Sequence, residues 1–281
     1  MSLAQIAQEA GLPRVGARPP LFRYLGEVWQ RREFIATMAR FRMRSEVEGN
    51  RLGIVWIVLR PLLNALIYGL IFGLLQGNSR PEGYAAYVVV GVFIFEFFTG
   101  CFNDGSKSIS GNRNLVQSLN FPRMTLPLAT VVQRFLSLCI TLVVLVPILA
   151  IFGHYPRWEW LLMVPLLALF TLFNTGIAFI TARLTVHVAD LSQLLPFVSR
   201  ILFYTSGVLF NVKTILEHHP AILTLYDYHP IYQVLQISRS ILVESGSYPL
   251  HYWPMLAGIS LATLILGVLF FWSAEERYGR D

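Results

Sequence analysis

Arg40-Phe41-Arg42-Met43-Arg44, followed by Arg51-Leu52-Gly53, Trp56 and Arg60-Pro61, marks the point where a basic segment gives way to the first of six long apolar stretches. About 20 apolar residues in a helix match the hydrocarbon thickness of a bilayer. The sequence therefore predicts an all-α polytopic membrane protein with six transmembrane helices, near 53–75, 84–103, 125–152, 161–182, 196–212 and 252–273. The third is long enough to tilt or to overrun the bilayer edge, and the fifth is short. Composition agrees: 55% of residues are apolar and 14% charged, against about 25% charged in soluble domains.

Upstream of the junction, Phe22, Leu25, Val28, Trp29, Met38 and Phe41 recur at helical spacing among Arg23, Arg31, Arg32, Arg40, Arg42 and Arg44. This pattern predicts an amphipathic interface helix over 22–50. The plainer alternative is a solvated basic helix that only sets topology. Residues 1–21 lack an apolar core and carry Gly11, Pro13, Gly16, Pro19 and Pro20, so a flexible cytoplasmic tail is expected and not a cleaved signal peptide. Residues 51–281 would form the transmembrane domain. Cys101 and Cys139 fall in different spans and read as small packing residues.

Charge sets the expected orientation. Nine arginines precede the first span, Lys107, Arg113 and Arg123 lie in the 104–124 loop, and Arg183, Arg277 and Arg280 bring that side to fifteen. The other side has Arg80, Arg157, Lys213 and Arg239. The positive-inside rule then places both termini in the cytoplasm. The net charge of +6 follows from topology and does not call for a nucleic-acid partner. Trp29, Trp56, Trp158, Trp160, Trp253 and Trp272 all fall at expected water–lipid boundaries, where amphipathic rings sit best.

In the 104–124 loop, Gly105, Ser106, Ser108, Ser110 and Gly111 break the membrane helix. A short helix over 112–119 is expected next, capped by Asn112 and stopped by Pro122. Leu115, Val116 and Leu119 would share one apolar face that needs something to dock against. Gly100 to Lys107 imitates a phosphate-binding loop, but the lysine is one residue late and a membrane helix precedes it.

Taken in order, Arg51-Leu52-Gly53, Trp56, Leu59-Arg60-Pro61, Asn112-x-x-Leu115, Phe121-Pro122-Arg123, Leu126-Pro127, Arg183 with Asp190, and His229-Pro230 with Arg239 resemble the ABC-2 type polysaccharide exporters. These are membrane subunits of O-antigen, capsule, teichoic acid and cell-wall galactan transporters. The resemblance covers about residues 22–275. Glu46 and Glu48 interrupt a run that is usually basic, and His229 stands where Asn is commoner. The resemblance implies a homodimer in a bacterial cytoplasmic membrane, two copies of a separate ABC ATPase, and a lipid-linked polysaccharide as substrate. ATP and Mg2+ would bind that partner, and this chain would hold no cofactor. Asn112, Arg113, Leu115, Val116, Leu119, Phe121 and Arg123 would form the ATPase-coupling loop.

Four charges fall within expected spans: Arg60, Glu96, Arg134 and Arg200. Such charges are costly and usually face protein or water. Arg60 and Glu96 lie at similar depth and could pair, or Arg60 could snorkel to headgroups. Arg134 is deepest among the arginines, about 14 Å from its helix start at 1.5 Å per residue. One or more arginines are expected to meet an anionic pyrophosphate. Tyr68, Phe72, Tyr84 and Tyr87 are candidates for a path where sugar rings stack, with packing as the alternative for each. Gly69-x-x-x-Gly73-x-x-x-Gly77 permits close helix approach, between subunits or within one. Residues 213–250 predict two short re-entrant or interfacial helices over the outer face. Glu217, His218, His219, Asp227 and His229 match no metal-site spacing.

Other classes fit less well. A membrane glycosyl- or phosphotransferase would call for an acidic metal cluster on the cytoplasmic side, and no Asp-x-Asp pair occurs. An ABC-2 exporter of drugs or lipids shares the fold, but the long outer loop and the first-span wording favour glycans. No Walker A motif is present, so this chain is expected not to be an enzyme.

Overall fold

The computed structural model of the chain describes residues 19–48, 51–77, 83–119 and 121–275. Most of the expected tail, together with Arg80, Arg277 and Arg280, lies outside the described residues. All regular structure among the described residues is helical. In order these are α1 (Leu21–Gln30), α2 (Arg32–Val47), α3 (Val55–Gln76), α4 (Tyr84–Ser106), α5 (Arg113–Ser118), α6 (Thr125–Ile151), α7 (Met163–His187), α8 (Leu191–Thr205), α9 (Val212–Ile215), α10 (Pro220–Asp227), α11 (Pro230–Val243) and α12 (Tyr252–Trp272).

Burial ranks the long helices. The apolar window of α4 is 78% buried and that of α3 only 11%, so α4 is the axis of the bundle and α3 lies at its edge. Around α4, Phe93, Phe97, Phe98, Leu145, Phe170 and Leu235 form the main core. A second core gathers Tyr24, Val28, Ile35, Val116, Phe121, Leu126, Phe179 and Phe271 at the arginine-rich end. Helices α7 and α12 approach most closely at two glycines. A Cβ added to Gly267 would sit 2.5 Å from the Gly176 carbonyl oxygen, so only Gly fits there.

Five helices are long and apolar enough to cross a membrane: α3, α4, α6, α7 with its preceding turn, and α12. The stretch expected as a span over 196–212 is instead α8, with 15 residues. It rises about 22 Å, less than a hydrocarbon core of about 30 Å. It ends early because the chain reverses at Gly207, whose φ is 75°. Ends of the other helices meet at one level: Thr185 of α7 bonds the Ser106 carbonyl of α4, and Arg183 bonds the Phe270 carbonyl and the Ser273 hydroxyl at the end of α12.

The expected interface helix is two helices broken at Arg31, whose N–H turns back to the Val28 carbonyl. One face of α1 buries Tyr24 and Val28, while Phe22 and Trp29 stay exposed as an apolar flank. Three short helices, not two, follow Gly207. Pro220 and Pro230 each open one, in the first-turn position where a missing N–H is harmless. Helix α11 is buried against α4, α7 and α12.

Candidate functional site

The arginine-rich end holds a charged cavity of about 220 Å³ between α2, α3, α4 and α6. Helix α2 runs along the first turns of α6, with Arg42 bonded to Thr130, and this brings Glu46 up to Arg134. Arg134 sends Nη1 to Glu46 Oε1 at 3.3 Å and Nη2 to Asp104 Oδ2 at 2.6 Å. Gln133 Nε2 donates to the other Glu46 oxygen at 3.1 Å. Arg60 reaches Glu46 at 3.5 Å, with its side chain 55% exposed. The Arg134 stem crosses α4 at Gly100, where an added Cβ would lie 2.6 Å from Cδ.

Three expectations change here. Arg60 pairs with Glu46 and not with Glu96. Arg134 is not a free cation deep in an apolar span, because α2 carries a carboxylate to its level and Asp104 supplies a second. Glu96 lines the same cavity, exposed, and no ion pair among the described residues engages it. Glu46, Asp104 and Asn103 were missed from sequence. Glu46 was visible only as an acidic break in a basic run.

The 104–124 loop folds partly back on the protein. Helix α5 has six residues, and Asn112 donates to the Ser108 carbonyl at 2.7 Å instead of capping it by side chain. Val116 and Phe121 are buried in the second core, and Leu115 packs beside them. The face expected to dock outward is therefore split, since inward residues follow the period of the helix. Arg113 and Leu119 remain exposed. Arg123 is drawn inward too: its backbone N–H donates to Glu275 Oε1 and its guanidinium to the Glu275 carbonyl, both at 3.1 Å. Tyr24 donates to the other Glu275 oxygen at 2.7 Å and accepts the Met124 N–H at 3.1 Å. Burial pushes the Glu275 carboxyl above its ordinary range, against these donors. One carboxylate thus ties α1, the loop and the end of α12 together.

The aromatic candidates separate into two groups. Tyr68 and Phe72 are half-buried and meet α8: Tyr68 lies 5.1 Å from the Phe203 ring, and Phe72 lies 6.4 Å from Tyr204. Tyr84 and Tyr87 are buried, and their hydroxyls donate to the carbonyls of Leu209 at 2.8 Å and Phe210 at 3.0 Å. Through these bonds they hold the turn after α8, and Tyr84 also lines an apolar cavity between α3 and α4. Arg239, read from sequence as an outer-loop cation, is fully buried. It donates to the carbonyls of Tyr87, Gly207 and Val208 at 3.2, 2.8 and 2.6 Å, over the Tyr87 ring. The glycine stripe of α3 packs within the subunit, with Gly73 facing the Tyr84 ring and Gly69 facing Val88. No group of three metal-ligating side chains occurs among the described residues.

A bundle of five long apolar helices, with an amphipathic helix pair at one end and a short helix between the second and third of them, has the form of a polytopic membrane protein. The family model for ABC-2 type transporters matches residues 34–243, and the chain belongs to that family. It is 22% identical over 261 residues to the O-antigen export system permease protein RfbA of Myxococcus xanthus, covering 93% of this chain and 100% of that one. It is 26% identical over 227 residues to an O-antigen export system permease protein RfbA of Klebsiella pneumoniae, covering 80% and 86%. Polysialic acid transport protein KpsM of Escherichia coli aligns at 24% identity, covering 80% and 87%.

Proposed function

We propose that the chain is the permease subunit of an ATP-driven exporter of a lipid-linked polysaccharide, in the cytoplasmic membrane of a bacterium. The observation that carries this reading is the nearly full-length likeness to O-antigen export permeases. A homodimer would form the conduit, with two copies of a separate ATPase binding ATP and Mg2+.

In this reading both termini lie in the cytoplasm and the chain crosses six times. The end contacts support an even count. Helix α7 finishes at the arginine-rich end, and so does α12, through Glu275. The chain must return to the other end between 188 and 251, and α8 is the longest helix running before the reversal at Gly207. Helices α9 to α11 then form a partly re-entrant lid over the exit. At the inner end, Arg113, Leu119 and their exposed neighbours offer the ATPase a surface whose base is fixed by Val116 and Phe121. Tyr68 and Phe72 with α8 remain candidates for the path. Arg60 and Glu96 remain candidates near its entrance.

The test is co-expression with a candidate ABC ATPase subunit from the same organism. The two should co-purify, and ATP hydrolysis should require the second protein. Hydrolysis by a preparation of this chain alone would refute the half-transporter reading.

A further inference from the structure

Two cavities share the helices α3, α4 and α6. The charged one ends at Pro61 of α3, Phe93 of α4 and Thr141 of α6. An apolar one takes over at Leu62, Val89 and Ile148, and it reaches Gly77 of α3 and Phe152 of α6. They are the two parts of one cleft that runs along all three helices from the arginine-rich end. In the charged part Arg42, Arg60 and Arg134 balance Glu46, Glu96 and Asp104, so charge selects no ligand there. Selection has to come from the shape of the apolar part, whose walls carry Leu62, Leu66, Leu70, Leu74, Val88 and Ile148. Within lipid, an apolar group gains by close contact and not by leaving water, so fit decides what stays bound.

The dimensions separate the possible occupants. A volume of about 950 Å³, spread over the rise of about 22 Å from Leu62 to Gly77, gives a mean cross-section of about 43 Å². A helix about 10 Å across needs about 80 Å², so the cleft is too narrow to seat a helix of a second copy. A straight hydrocarbon chain at apolar contact distances of about 4.5 Å takes about 20 Å². The paired chains of one phospholipid would match the width. Each is confined to one leaflet, however, about half of a hydrocarbon core of about 30 Å, and the cleft is longer than that. A single chain that carries methyl branches and passes the midplane suits both width and length.

We propose that this cleft, inside one subunit, binds a single long isoprenoid chain laid along the membrane normal. The proposal rests on the exporter reading only for the source of that chain, the lipid carrier of the glycan. The carrier's polar head then lies at the charged end of the cleft, beside Arg60.

The test uses the full chain, without ATPase or glycan, in phosphatidylglycerol nanodiscs containing a diazirine-bearing undecaprenyl phosphate. Adducts formed on illumination are mapped by mass spectrometry. Leu66, Leu70 and Ile148 in the cleft should be labelled about tenfold more than Leu261 and Leu266, which are exposed on α12 outside it. A phosphatidylglycerol with the diazirine in its acyl chain should show no such preference. Ala85 is exposed and lines the cleft, so Ala85→Trp should obstruct it and lower the cleft adducts while those on α12 stay unchanged. Farnesyl phosphate, with a much shorter chain, should compete more weakly than unlabelled undecaprenyl phosphate, a comparison that needs no variant. Equal labelling of the cleft and α12 by the isoprenoid probe would overturn the proposal, as would the same cleft preference from the acyl probe. Disulfide formation between two Leu70→Cys chains would also overturn it, by making the cleft a seam between subunits. Selective labelling together with failed ATP-driven export would refute the exporter reading and leave the cleft site standing.

Discussion

Arg239 closes the end of the bundle opposite the arginine-rich one at the scale of a single side chain. Its guanidinium meets three carbonyls, of which that of Gly207 also accepts from the Tyr87 hydroxyl, and the Tyr87 ring covers its face. Gly91 leaves room for it, since a Cβ there would collide with the guanidinium. A buried carbonyl left without its donor costs about 1–3 kcal/mol. Arg239→Met should therefore lower the unfolding temperature sharply, and Gly91→Ala should do the same by displacing the arginine. Wild-type melting of both in one detergent would show that the cluster is not structural. The Glu46–Arg134 pair has a different test. A double-mutant cycle with Glu46→Gln and Arg134→Gln, read as thermal stability, should give a coupling of about 1–3 kcal/mol. Strict additivity would mean that the interface helix is held elsewhere. Neither arrangement was legible in the sequence. A charge is visible there, but its partner is 88 residues away for Arg134 and Glu46, and the hydrophobic period says nothing about such distances.

At the scale of elements, α5 divides its residues by side. Val116 is 4% exposed and Leu119 53%, which separates folding from docking. Val116→Asp buries an unpaired charge and should prevent stable folding. Leu119→Asp should leave insertion and melting unchanged but weaken co-purification with the ATPase. The reverse pattern would place the docking surface elsewhere. The α11 terminus yields a pH dependence. His229 Nδ1 accepts the Tyr232 N–H at 3.2 Å, the task an Asn would perform at that cap. Burial lowers the His229 pKa below its ordinary 6.5, favouring the neutral ring. The unfolded state then binds the proton first, so this contribution is intact above about pH 6.5 and is lost as pH falls through the folded value. The protection of α11 amides, taken relative to their intrinsic exchange rates, should fall on acidification in the wild type but not in His229→Asn; equal acid response of the two would refute the cap. Long helices were legible because apolar length alone defines them, and five appear within a few residues of expectation. Helix α8 was misplaced because Tyr204, Val208, Leu209 and Phe210 read as continuous apolar chain, while the turn at Gly207 depends on Arg239 from a distant element. The docking face of α5 was misjudged because its period shows an apolar side without showing which neighbour covers it.

For the whole molecule, the second core explains how a peripheral helix pair can influence the bundle. Through Glu275, Tyr24 and Arg123, α1 is fastened to the 104–124 loop and to the last long helix, so a displacement of the loop reaches three elements at once. The orientation has a direct check. In a Cys-free background, Ser247→Cys should label with an impermeant reagent from outside the cell, and Asn114→Cys should label only after permeabilisation; both positions are exposed. The opposite pattern would invert the topology. The family was legible because motif order survives along most of the chain, whereas the glycan leaves no such mark on apolar helices.

The central claim is that this chain carries a lipid-linked glycan across the membrane when a separate ATPase hydrolyses ATP. Inside-out vesicles containing both proteins, given the lipid-linked glycan made by the same cell and ATP, should show the glycan becoming protected from an added glycosidase. Vesicles with this chain alone, or with an ATPase unable to hydrolyse ATP, should leave it accessible. Equal protection with and without hydrolysis would contradict the account.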